Sequence, residues 1–414
     1  MAASVFADDP AAQSPARVGW RERWWRLRDR LLGDAAFRHA AGRFALTRPL
    51  ARRQAAALFD LMAGFVYSQV LAACVELRLF ERLRRAPLTA AQLAAESSLP
   101  LLGAQRLLEA AAALDLVQVR GHDPRCGPHD DPHTGAHTNA QATPAPLYGL
   151  GVLGATLAGN DALASLVRHH GALYRDLSDP LALLRAPRGS AELAQVWAYA
   201  TARSPGALGS DVVAPYSAVM THSQALIADQ VLDAYPVHRH RRLLDVGGGE
   251  GAFLAAALAR APGLAGQLFD LPAVAQAAQA RLAALGLAQR ATVHGGDFKT
   301  LAGSNPLPHG ADLVSLVRVL YDHDDATALH LLRAVREVLP RGGTVLVAEP
   351  MAQAPGARRM GAGYFGIYLL AMGSGRVRSA GEHRALLHAA GFEAARERRA
   401  ALPLQTGLVT ARAP

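Results

Sequence analysis

The chain has 414 residues, 51% hydrophobic and 19% charged, enough for two or three domains with sizeable cores. Its 43 basic and 34 acidic residues give a net charge of +9, with the arginines dispersed along the sequence, a pattern that argues against nucleic acid as the partner. Only two cysteines are present, Cys74 and Cys126; they exclude a disulfide framework or zinc spacing and point to a reducing cytoplasm.

Residues 1–16 are polar and read as disordered, without the basic start and apolar core of a signal peptide. At 20–32, WRERWWRLRDRLL places Trp20, Trp24, Leu27 and Leu31 at helical spacing, with Arg21, Arg23, Arg26, Arg28 and Arg30 among them. Such a basic amphipathic helix either lies as a peripheral contact on an anionic membrane or packs on a partner subunit. A linker ending at Pro49 closes this extension, 1–50.

Residues 51–235 read as a helical domain. One long apolar-periodic stretch covers 58–83, Thr89 caps a helix, 101–114 forms another, and 116–119 could be a wing strand. No run of about 18 uncharged apolar residues predicts a membrane span. The insertion at 121–147 is rich in Gly, Pro, Asp and His and reads as a flexible wing tip, its histidines having no helix or strand to fix a metal geometry. Helices are expected to resume from 147 to 235.

Residues 236–414 carry the chemistry. LLDVGGGEG at 243–251 is a short strand ending in Asp245, then a glycine loop with Gly247 and Gly249, then a helix-forming run. Twenty-five residues on, QLF leads to Asp270 and Leu271, where a carboxylate can accept hydrogen bonds from a ribose diol. The loop also fits a loose dinucleotide pattern. Asp245 before the glycines and the acidic turn at Asp297–Phe298 favour S-adenosyl-L-methionine over NAD. Further strands are expected at 312–320 and 344–349, a helix at 329–339, and a last antiparallel strand at 407–412.

The ordered set LLDVGGGEG, FDLP, GGDF, RVLYDHDD, LPRGG and LVAEP, within 210–410, resembles the S-adenosylmethionine-dependent O-methyltransferases of the caffeate and acetylserotonin type. The resemblance implies an α/β class I methyltransferase sheet, Rossmann-like, behind an N-terminal helical dimerisation domain containing a winged helix. It also implies a homodimer and methyl transfer to a hydroxyl. Within that family, WRERWWRLRDRLL, the stretch at 46–83 and Val319–His323 are similar to the hydroxycarotenoid methylases of purple bacteria, which act on 1-hydroxy carotenoids. An apolar carotenoid acceptor is therefore expected; the cysteine usage points to a cytoplasmic enzyme, with the N-terminal helix as its candidate peripheral contact on the inner membrane or with the partner subunit.

The chain departs from the plant-type pattern at the base. Where that pattern has His-Asp-Trp, this sequence has Tyr321-Asp322-His323. Glu349 is kept, 28 residues after Tyr321, but the second family glutamate is replaced by Val377. Tyr321, His323 and Glu349 are the catalytic candidates. Asp245, Gly247, Gly249, Asp270, Leu271, Asp297, Phe298 and Arg318 are the expected cofactor contacts. Tyr364, Phe365, Tyr368 and Met372 offer an apolar acceptor wall, with Tyr216 and Met220 as a second one. A phenolic or polyketide O-methyltransferase, a bacteriochlorophyll-pathway C-methyltransferase, a dinucleotide oxidoreductase and a non-catalytic cofactor-binding regulator stand as alternatives.

Overall fold

The computed structural model describes residues 19–123, 144–197, 224, 227–301, 306–353, 358–398 and 406–414. The chain forms two compact units, Met1–Ala73 and Cys74–Pro414.

The first unit holds α1 (Trp20–Gly33), α2 (Ala35–Arg43) and most of α3 (Arg48–Glu76). Asp34 separates α1 from α2 and caps the latter, its carboxylate accepting from the Phe37 amide at 2.6 Å. The expected linker thus contains a second helix. Pro49 lies in the first turn of α3, where its missing N–H costs no hydrogen bond. By length and composition α3 could cross a bilayer, although Asp60 interrupts its apolar run.

In the second unit Arg78 adopts φ 52°, which ends α3 and divides the expected long helix. There follow α4 (Leu79–Arg85), α5 (Ala90–Ser97) and α6 (Leu101–Ala113). Thr89 and Gln92 form a reciprocal capping box at α5. Strands β1 (Val117–Asp123) and β2 (Ala145–Leu150) pair antiparallel as the wing of a winged helix. β2 occupies the start of the stretch expected to be helical. Helices α7 (Val152–Leu157), α8 (Asp161–Asp176), α9 (Pro180–Arg185) and α10 (Glu192–Val196) then lead toward the sheet.

The sheet has seven strands: β3 (Arg242–Val246), β4 (Ala265–Asp270), β5 (Ala291–Gly295), β6 (Leu313–Val317), β7 (Thr344–Glu349), β8 (Glu393–Arg398) and β9 (Gly407–Arg412). Their order is β5-β4-β3-β6-β7-β9-β8, parallel through β7, with β9 antiparallel to both neighbours. Side chains alternate across the sheet, so Leu244 and Val246 enter one core and Leu243 the other. The first core is closed by α13 (Asp325–Val338), which contributes Leu331, Leu332 and Val335. The second is closed by α11 (Ala252–Arg260) and α12 (Pro272–Ala284), through Phe253, Leu254, Leu258 and Leu282. Connections run outward from β3 and from β6 in opposite directions, which opens a crevice at their carboxyl ends.

β5 stops at Gly295 and leads into the expected acidic turn, where the Asp297 carboxylate accepts from the Lys299 amide at 2.8 Å and 298–300 wind into a 3-10 turn. One strand ends earlier than the expected 320. β6 stops at Val317, because Arg318 takes φ 59°. Helix α13 starts four residues before the expected 329, where Asp324 caps it through the Thr327 amide.

Candidate active site

The loop after β3 is shaped by its glycines. Gly247 has φ 68°, and a Cβ there would lie 2.7 Å from the Val319 side chain. Gly249 has φ 58° with open space beside it, so a ligand can approach its backbone. Asp245 is buried. Its Oδ1 accepts from the Ser315 hydroxyl at 2.6 Å, while Oδ2 has no partner among the described residues. Burial pushes this carboxyl up to about 7. Asp270, at the end of β4, accepts from the Gly249 amide and from the Leu271 amide, both at 2.7 Å. Burial raises it to about 6 against the pull of those two amides. A carboxylate has about four acceptor positions, so each Asp270 oxygen keeps room for a ribose hydroxyl.

The turn after β6 carries the catalytic candidates. Tyr321 is buried on the short 3-10 turn 320–322, and burial pushes its phenol well above the usual range. Arg318 points a guanidinium nitrogen at its hydroxyl, 3.4 Å away, with the guanidinium 5.9 Å from the ring centre. Glu349 does not bond the Tyr321 side chain. Its Oε1 accepts from the Val319 and Leu320 amides at 3.0 and 2.7 Å, fixing the turn. Burial raises Glu349 to about 8, so it is largely protonated at neutral pH. His323 lies edge-on to Phe298 with centroids 5.1 Å apart, and burial lowers it to about 3.

A clamp on this turn was not legible in the sequence. Arg378 is fully buried and donates to the Leu320 carbonyl at 2.7 Å, to the His323 carbonyl at 2.8 Å and to Asp325 at 2.8 Å. The Ser374 hydroxyl donates to the Asp322 carbonyl at 2.6 Å, and the Arg376 amide to the Tyr321 carbonyl at 2.9 Å. Gly375 has φ 80°, and a Cβ on it would sit 2.1 Å from the Tyr321 carbonyl oxygen. The segment around Val377 therefore supports the turn with arginines and backbone.

The residues of the expected acceptor wall come together in part. Tyr368, Met372 and Tyr321 are buried in one apolar cluster with Leu173, Leu193 and Trp197, and Tyr364 and Phe365 pack against it. Tyr368 and Met372 belong to α14 (Gly366–Met372), while Tyr364 and Phe365 lie in the π-turn Arg359–Phe365 before it. Tyr216 and Met220 lie outside the described residues.

Two histidines of α8 join this cluster, and no sequence motif marked them. His170 Nδ1 donates to the Leu166 carbonyl at 2.6 Å, so in the neutral ring Nε2 accepts from the Tyr364 hydroxyl, also at 2.6 Å. His169 Nε2 is 2.6 Å from the Tyr368 hydroxyl. Burial lowers His169 to about 4, with His170 and Arg318 adding to the effect, and burial lowers His170 as well. Both rings are neutral at physiological pH.

A model of an O-methyltransferase domain matches residues 189–393, and one of an O-methyltransferase dimerisation domain matches 59–138. The demethylspheroidene O-methyltransferase of Cereibacter sphaeroides is 44% identical over 92% of this chain and 93% of its own. The chain belongs to the S-adenosylmethionine-dependent O-methyltransferases. The demethylspheroidene O-methyltransferase of Rhodobacter capsulatus is 36% identical over 89% of this methyltransferase and 85% of its own chain. Human N-acetylserotonin methyltransferase, solved in complex with SAM, has the same fold, with a TM-score of 0.68 over 87% of this chain and 97% of that one, at 23% identity.

The methyl donor is S-adenosylmethionine. The residues present fit it. An unpartnered carboxylate oxygen faces a glycine loop open to a ligand, and a second carboxylate stands at the end of the neighbouring strand. When bound, this group supplies an electrophilic methyl on a sulfonium.

Proposed function

We propose that this enzyme methylates the 1-hydroxy group of an acyclic carotenoid, as a homodimer in the cytoplasm. The observation that carries the reading is the apolar aromatic cluster around Tyr321, whose polar groups include un-ionised tyrosines and neutral imidazoles. A long hydrocarbon is bound mostly by burial of its area, at about 25 cal/mol per Å². The names of the two bacterial relatives point the same way. The dimerisation-domain match supports the homodimer, and it includes the second half of α3.

In this reading Asp245 holds the cationic end of the donor, Gly247 and Gly249 let it approach, and Asp270 with Leu271 receives the ribose. Asp297, Phe298 and Arg318 complete that side, and His323 packs on Phe298. Tyr364, Phe365, Tyr368 and Met372 line the acceptor wall. Tyr321 orients the acceptor hydroxyl and is not the base, because burial keeps its proton in place. A tertiary alcohol is far less acidic than a phenol, so its proton leaves only as the new C–O bond forms and the donor's methyl–sulfur bond breaks, and the neutral His323 ring takes that proton directly or through water. Alignment in a dry site then supplies most of the rate. Glu349 acts by holding the turn that presents Tyr321.

The test is transfer of labelled methyl to a 1-hydroxy carotenoid in detergent, with a simple catechol in parallel. Label in the carotenoid is expected. Label in the catechol alone would replace this reading with the phenolic one.

A further inference from the structure

The helix α1 plays no part in the chemistry above, and its surface has its own logic. No residue of α1 or α2 is buried. Trp20, Trp24, Leu27 and Leu31 fall on one helical stripe and stay 77, 59, 50 and 39% exposed. At 100° per residue, Arg21 and Arg28 border the stripe on one side and Arg23 and Arg30 on the other. The acidic residues of α1, Glu22 and Asp29, lie at the opposite pole, where Glu22 pairs with Arg26 and Asp29 with Arg28.

The charge is concentrated in the same place. Residues 19–53 contain ten arginines and three acidic residues, a net +7 out of +9 for the whole chain. Arginines occur throughout the sequence, but elsewhere acidic residues nearly balance them.

We propose that α1 is a membrane-surface helix that docks on anionic phospholipid. Its stripe sinks to the headgroup level, the tryptophans sit at the boundary, and the flanking arginines pair with lipid phosphates. The local excess of arginine over acidic residues matches an anionic headgroup surface, and a nucleic-acid helix would not need three exposed tryptophans. The 14 residues of α1 are too few to span a bilayer, so the contact lies in the surface plane.

The full chain supplies its own reporter. Three of its four tryptophans are on α1, and the fourth, Trp197, is buried. Vesicles of phosphatidylcholine with 30 mol% phosphatidylglycerol should shift the tryptophan emission to the blue and co-sediment the protein. Pure phosphatidylcholine vesicles should bind at least tenfold more weakly. Replacing Arg21, Arg23, Arg26, Arg28 and Arg30 together by Gln should weaken binding at least a hundredfold. Replacing Trp20 and Trp24 by Ser should abolish most of the shift, and both variants should keep the native mass in sedimentation. The proposal is overturned if wild type ignores the anionic vesicles. It is also overturned if the variants bind them as before while the dimer dissociates, which would place α1 in the subunit interface. Tight binding to duplex DNA with no spectral response to vesicles would overturn it in favour of nucleic acid.

Discussion

The two ends of the site in the second unit solve opposite problems. At the carboxyl ends of β3 and β4 the surface is polar, with acidic carboxyls waiting for a ligand and a backbone made approachable by glycine. Around Tyr321 the surface is aromatic and aliphatic, and burial holds its tyrosines, its imidazoles and Glu349 un-ionised, while the Arg318 guanidinium stands charged at the Tyr321 hydroxyl. The first end is ready to meet a cation; the second is suited to a molecule with little charge. One fold keeps the two environments a strand apart by using the switch point between β3 and β6.

The largest effect should come from removing the clamp on the acceptor side. Arg378→Ala leaves two turn carbonyls without their donor and empties a fully buried site. Each stripped carbonyl costs about 1–3 kcal/mol, so the expected loss is about 2–6 kcal/mol of unfolding free energy, read from the denaturant midpoint. A loss below about 1 kcal/mol would mean that the turn stands without the clamp.

The carboxylate end should respond to pH. Burial raises Asp245 to about 7 in the free protein, and the ammonium group of S-adenosylhomocysteine, that ligand's one cation, favours its ionised form. Affinity for S-adenosylhomocysteine should therefore be flat above pH 7 and weaken below it, approaching about tenfold per pH unit. Calorimetry between pH 8 and 6 measures this, and Asp245→Asn should remove the slope.

The smallest effect should come from Glu349→Gln. A carboxyl raised to about 8 when folded, against about 4.3 unfolded, binds more protons in the folded state between those values. The wild type therefore loses stability as pH rises through that window. The Gln variant should unfold within about 1 kcal/mol of wild type at pH 7, because its amide oxygen can still accept from Val319 and Leu320, and its stability should vary less with pH. A collapse of stability in this variant would mean that Glu349 is needed as an anion.

The carboxylate end was legible in the sequence because it is local. One strand, one loop and one helix start carry Asp245, Gly247 and Gly249 within a few residues, and Asp270 follows one β-α-β unit later. The inner strands of the sheet were legible for the same reason, as apolar runs separated by turn signals, but β8 is mostly charged and exposed and carries no apolar run to mark it. The acceptor end was only half legible. Tyr364 to Met372 reads as an apolar aromatic helix, but His169 and His170 come from almost 200 residues earlier and meet it only in space. Arg378 looked like a lost glutamate's neighbour, and nothing in its spacing shows that it reaches the carbonyls of Leu320 and His323. The helix break at Arg78 and the end of β6 at Arg318 were missed because arginine gives no local signal for positive φ.

The division of the site into a charged end and a neutral end is tested most directly by titrating S-adenosylhomocysteine into Asp245→Asn and Tyr321→Phe at pH 7.5. The account predicts about a hundredfold weaker binding for Asp245→Asn, the loss of one charge-assisted contact of about 2.7 kcal/mol, and unchanged binding for Tyr321→Phe. Equal losses in both variants, or a loss in Tyr321→Phe alone, would contradict it.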